Sequence, residues 1–182
     1  MATQRLKSIV MAIMVLGLLF PRLAAAQAAW PAYSNEAFGY RISYPPDWEF
    51  KPPNDKDVFF VTSRLDGGGD RFRENINCKP LRLQIKGFNI RSAEAQIIAG
   101  VATMPDFKLI STAYVRWNGV EALRLEYTLS NTTNGEKYDI HIQQQMSVIG
   151  DVLYAITFTS EEGSYARYLP MATRIVNSMK VN

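Results

Sequence analysis

Tyr114-Val115-Arg116-Trp117-Asn118-Gly119-Val120-Glu121-Ala122-Leu123-Arg124-Leu125 decides the fold. Asn-Gly between two alternating runs marks a two-residue hairpin, because both turn residues tolerate positive φ. The register that follows pairs Trp117 with Val120, Arg116 with Glu121 and Tyr114 with Leu123. Ile110, Tyr114, Leu123, Leu125, Tyr127 and Leu129 then share one face, with opposite charges opposed at the rim. Asn134-Gly135 turns into a third strand, Lys137–Ile149, and Gly150-Asp151 into a fourth, Val152–Ser160. The last two strands carry apolar residues on both faces: Val148, Leu153 and Ala155 on one, Ile149, Tyr154, Ile156 and Phe158 on the other. A sheet dry on both sides needs two covers, which predicts an α+β fold with helices on both faces of a central antiparallel sheet.

Two segments can serve as those covers. Tyr165, Tyr168, Leu169, Ala172, Ile175, Val176 and Met179 repeat at helical spacing. Pro170 conflicts with an unbroken helix there, so the helix starts near Pro170 or bends at it. Ala93–Ala102 is the second, with Ser92 as cap and Glu94 suited to the positive helix end. Upstream, Tyr40–Tyr44 alternates until Pro45-Pro46 stops it, and Trp48–Lys51 can pair back across that turn. Val58–Arg64 reads as a strand, and Gly67-Gly68-Gly69 as a loop. Leu81, Leu83 and Ile85 alternate with polar residues, as in a strand with one dry face.

Met1–Lys7 is basic, Ser8–Phe20 apolar and Pro21–Ala29 rich in small residues, the order of a secretory signal peptide. The apolar run is shorter than the ~20 residues that span a bilayer. The expected organisation is therefore a signal peptide over residues 1–28 and a single domain over 30–182. Arg5, Lys7 and Arg22 are the only charges before Trp30, so the 20 basic residues fall to 17 beyond it, against 17 acidic ones. A neutral body without a basic run argues against nucleic-acid binding. One His and one Cys in 182 residues rule out His-Glu-x-x-His zinc sites, paired-cysteine ribbons and internal disulfides.

Few residues carry chemistry. His141 shares a strand face with Asp139 and Gln143, so a surface metal site and a half-exposed structural histidine are both open. Cys78 reads as small apolar filling, with a nucleophilic pairing to His141 as the alternative. No nucleophile elbow, phosphate loop or calcium loop is present. Arg71, Phe72, Arg73, Glu74 and Asn75 follow the triglycine loop and have the residue types enriched at protein contacts; the other reading is a solvated loop.

Several stretches, in order, resemble the PsbP family, whose founding members are extrinsic lumenal subunits of photosystem II. These are Phe38-Gly39-Tyr40-Arg41-Ile42-Ser43-Tyr44-Pro45 with Trp48, and Phe72-Arg73-Glu74-Asn75-Ile76-Asn77. Gly119 to Tyr127, Val152-Leu153-Tyr154 with Thr157-Phe158, and Ile175-Val176-Asn177-Ser178 with Val181 continue the match. The resemblance implies an α/β/α sandwich shared with DcrB-type envelope proteins and a Ran-binding nuclear factor. It further implies a non-enzymatic role retaining calcium and chloride at the oxygen-evolving centre, with a membrane protein complex as partner. The location it implies is the thylakoid lumen or periplasm, peripheral to the membrane. The domain is expected to start within a few residues of the cleavage site, without the N-terminal extension that plant members use for ion retention. No cysteine stands near that site to carry a lipid anchor. N-terminal sequencing of the exported protein is expected to begin between Gln27 and Trp30; an intact Met1 in a membrane fraction would overturn this.

Overall fold

A computed structural model describes residues 29–51, 58–68, 70–85, 87–133 and 135–182. The signal-peptide expectation falls on residues 1–28 and lies outside the described residues. Ten strands, β1 (Ala32–Asn35), β2 (Tyr40–Ser43), β3 (Glu49–Phe50), β4 (Phe59–Thr62), β5 (Asn75–Arg82), β6 (Lys108–Trp117), β7 (Val120–Thr133), β8 (Glu136–Ile149), β9 (Val152–Glu161) and β10 (Lys180–Val181), combine with two helices. Helix α1 spans Ile90–Val101, and α2 spans Tyr165–Ser178. The main sheet has seven antiparallel strands in the order β3-β4-β5-β9-β8-β7-β6. A separate three-stranded sheet runs β1-β2-β10.

The hairpin at Asn118-Gly119 is as expected. Both turn residues have positive φ, 49° and 81°, and Trp117 opposes Val120, Arg116 opposes Glu121, and Tyr114 opposes Leu123. Only Ile110 leaves the shared face: a bulge between Leu109 and Ser111 turns it outward and half exposes it. The two covers are also present. α1 lies over Leu123, Leu125, Tyr127, Ile140 and Ile142, joined through Ile90. On the opposite face, α2 supplies Tyr165, Ala172, Ile175 and Val176 against Tyr154, Ile156, Phe158, Ile76 and Cys78, and β2 adds Tyr40 and Ile42. Trp117 reaches across this side to donate its Nε1–H to the carbonyl of Val176 (3.2 Å).

Four expectations are corrected. Trp48–Lys51 does not pair with Tyr40–Tyr44; β3 pairs with β4, and β2 takes β1 and β10. Pro45 accepts from the Trp48 N–H in a tight turn that sends Trp48 into the core against Tyr168, so the chain changes sheets there. The strand near Leu81 begins earlier, and its dry residues are Ile76, Cys78 and Pro80; Leu81 is 55% and Ile85 69% exposed. Cys78 is therefore inside a strand rather than before one. α1 starts at Ile90 because Asn89, not Ser92, caps it, accepting from the Arg91 N–H at 2.8 Å. Burial of Ile90 anchors that earlier start, and Glu94, beyond the first turn, accepts from the Tyr114 hydroxyl instead. α2 does not start at Pro170: it runs from Tyr165, after a 3-10 turn at Glu162–Ser164, and carries Pro170 inside it. Ala166 and Pro170 are both exposed, so the carbonyl left without its helical donor faces water.

Gly119 at φ 81° has open space around its missing side chain, so a substitution there meets backbone strain and no clash. Gly119→Val is expected to cost about 1–2 kcal/mol in chemical denaturation, because a β-branched residue resists positive φ. Unchanged stability would count against the turn geometry.

Candidate functional site

Two places in this fold assemble polar side chains beyond what the layers require. The first is the stretch entering β5. Arg71 pairs with Glu136 and, at 3.8 Å, with Glu161, and its guanidinium lies over the Tyr138 ring. Arg73 pairs with Glu49 at 2.6 Å. Phe72 between them meets Tyr138 edge to face, 5.9 Å between centroids, and packs on the α1-side core. Asp70 caps the turn by accepting from the Phe72 N–H. Asn75 donates to the Arg73 carbonyl. Both guanidiniums stay exposed while paired with three carboxylates.

Glu74 behaves differently from its neighbours. Its side chain turns inward and is 1% exposed, so it faces the interior and not a partner. Ser63 donates to it at 3.0 Å and Ser160 at 3.3 Å, and no cation joins them among the described residues. Burial holds its carboxyl above the usual carboxylate range, the two serine hydroxyls opposing in part.

The second place is the face of β7 and β8 that looks toward α2. His141 is 7% exposed and stacks on Tyr165 with centroids 3.4 Å apart and planes 3° from parallel. Its Nε2 faces Glu126 Oε1 at 3.0 Å, and its Nδ1 faces Glu162 Oε2 at 2.7 Å. His141 is thus buried, not half exposed, because Tyr165 at the start of α2 lies over it. Glu126 and Glu162 sit at opposite ring nitrogens and do not converge on one point. Asp139 is taken by the Ser130 hydroxyl (2.7 Å). Among the described residues no three His, Cys, Asp or Glu groups come together to hold a metal ion. Cys78 lies two strands from His141, and burial pushes its thiol up, away from the reactive thiolate.

Beside His141, a cleft of about 390 Å³ opens between the sheet and α2. Arg124, Glu126, Gln143 and Gln145 form its floor, and Leu169, Thr173 and Asn177 of α2 its wall. Arg124 opposes Gln145, and Glu126 opposes Gln143, so the four side chains lie in one block on one face. Nothing in the sequence singled out this block, since alternating polar residues on a strand read as a wet face.

No known protein-family profile matches the chain. Nor does any curated protein match it. Solved structures do match. The solution structure of cyanobacterial PsbP from Synechocystis sp. PCC 6803 is 15% identical, covers 91% of this chain and 100% of its own, and has a TM-score of 0.58. The Ran-binding protein Mog1p of Saccharomyces cerevisiae is 11% identical over 84% of this chain and 95% of its own, with a TM-score of 0.56. LpqN of Mycobacterium tuberculosis, involved in cell envelope biogenesis, is 12% identical over 84% and 85%, with a TM-score of 0.53. A Bacteroides thetaiotaomicron structure matches as well (12% identical, TM-score 0.55), and there this chain spans about half, 48%, of the other's length. At these identities the likeness is one of fold. The class is an α+β sandwich of the PsbP and Mog1 kind.

Glu74 yields a pH test. A carboxyl raised in the folded state favours folding while protonated, and that contribution is lost as pH rises through its folded pKa. Glu74→Gln removes the charge and stays hydrogen-bonded: its carbonyl oxygen accepts from one serine and its amide donates to the hydroxyl oxygen of the other. It is expected to stabilise the protein by on the order of 1 kcal/mol at neutral pH, the scale of a desolvated polar group. The advantage should shrink as pH falls toward the ordinary carboxylate range. Urea titrations at pH 7 and pH 5 check this, and a variant weaker than wild type at pH 7 would refute it.

Proposed function

We propose that this chain is an exported, non-catalytic PsbP-like accessory module that docks on the periphery of a membrane protein complex. The observation that supports this is the Arg71–Arg73 platform. Two exposed guanidiniums flank an aromatic ring and are held in place by Glu49, Glu136, Glu161 and Tyr138. A preordered arginine surface loses little side-chain freedom on binding, which suits contact with an acidic partner patch. By resemblance the complex is photosystem II and the role is calcium and chloride retention at the oxygen-evolving centre. The location is then the thylakoid lumen or periplasm.

The fold likeness to LpqN supports a second reading, a periplasmic PsbP/DcrB-like envelope binding module unrelated to photosynthesis. A source genome encoding photosystem II subunits favours the first, and one without them the second.

Charge reversal at the platform would set new carboxylates against Glu49, Glu136 and Glu161, so the useful variant is neutral. Arg71→Gln with Arg73→Gln should leave the circular dichroism spectrum intact, since exposed pairs of this kind contribute about 0–1 kcal/mol each. Co-sedimentation with source-organism membranes should fall for the double variant, and wild-type binding should weaken as salt rises. Equal co-sedimentation of both proteins at every salt concentration would remove the platform from the docking surface.

A further inference from the structure

On the α2 side, the main sheet is apolar along β4, β5 and β9 and abruptly polar along β7 and β8. Ala122 and Ser147 close the apolar part, and Arg124, Gln145, Gln143 and Glu126 follow. A polar block on the inner face of a sheet, under a helix, departs from the pattern that folding alone favours, and such departures mark function.

The charges in the block are not balanced. Glu126 is already met, with Oε1 on His141 and Oε2 accepting from Ser111 at 3.2 Å. Arg124 is half buried and has no ion pair or hydrogen bond among the described residues. Gln145, 8% exposed, leaves its amide without a partner among them. Two cations line the cleft, Arg124 on its half-buried floor and Arg116 at its exposed edge, with the Gln145 amide beside Arg124. At about 390 Å³ the cleft falls within the roughly 300–1,000 Å³ typical of small-molecule sites. Leu169, Val115 and Val176 add an apolar side, and Thr173 and Asn177 polar groups at the helix rim.

We propose that this cleft binds a small organic molecule headed by an oxyanion, a carboxylate or phosphate, with the Arg124 guanidinium as its anchor. The guanidinium presents paired N–H donors that match either head, and the Gln145 amide supplies a third donor beside it. The apolar body of the ligand lies against Leu169 and Val176. This is a ligand site on the sheet face under α2, apart from the Arg71–Arg73 platform.

The test is calorimetric titration with phenyl phosphate and phenylacetate, with inorganic phosphate and acetate as the bare heads. Side-chain amide resonances of Gln143 and Gln145 are followed by NMR. Saturable binding of at least one aromatic probe is expected, tighter than its bare head, and the better of the two identifies the head. Arg124→Gln should weaken it by about tenfold or more. Asn177→Asp, on the exposed rim where folding is not at risk, should weaken it in the same direction. Arg82→Gln, at an arginine that pairs with Asp151 outside the cleft, should bind as wild type does. No saturable binding by about 10 mM of any probe, a range corresponding to only a few kcal/mol, would overturn the proposal. So would equal affinity in Arg124→Gln and Arg82→Gln.

Discussion

The main sheet is wider than its covers, and the rest of the structure follows from that mismatch. Seven strands at about 4.8 Å spacing span about 29 Å between the outer axes. A helix with its side chains is about 10 Å wide, so one helix dries roughly two strands on each face. The protein fills the shortfall differently on its two sides. Over β4, β5 and β9, the small β1-β2-β10 sheet joins α2, bringing Tyr40, Ile42 and Met179 against Phe59, Cys78 and Ile156. Over β7 and β8 no second apolar cover lies on that side among the described residues, and the strands turn polar instead. On the α1 side, β5 is left open, and Leu81 and Lys79 meet solvent.

The small sheet depends on the far end of the chain. β10 reaches β2 only because α2 ends at Ser178, whose hydroxyl donates to the Ser43 carbonyl and accepts from the Ser43 N–H. The Asn182 N–H then donates to the Gly39 carbonyl (2.9 Å). Loss of α2 packing would therefore release β2 and its aromatic cluster together, since the rings of Tyr33, Tyr40, Tyr44, Phe50 and Phe59 pack on one another from both sheets.

Which parts were legible in the sequence follows from range. The β6–β9 meander was, because Asn118-Gly119, Gly135 and Gly150 set each register within a few residues, and all three glycines have positive φ. The second partner of β2 was not: β10 lies about 140 residues away in sequence, and no local signal names it. Trp48 was read as the start of a strand pairing back across the Pro45-Pro46 turn, yet that turn uses it to plug the core. The start of α1 was misplaced by a competition between two good caps three residues apart, which Ile90 decides by being buried.

The candidate site was harder, for a physical reason. Polarity in a sequence reports what a side chain is, and burial reports what is placed over it. Glu74 sits between Arg73 and Asn75 and reads as one more exposed charge, yet Ser63, just past β4, and Ser160 of β9 enclose it. His141 reads as half wet until Tyr165 is laid across it. Arg124, Gln143 and Gln145 alternate with Leu123, Leu125, Ile142 and Met146 as the wet side of two strands should, and become a cleft floor only when α2 crosses above them. In each case the lid is an element with its own, separately legible, reason to exist. The polar residues of β7 and β8 thus gain their burial from the helix laid over them, which no local motif in those strands announces.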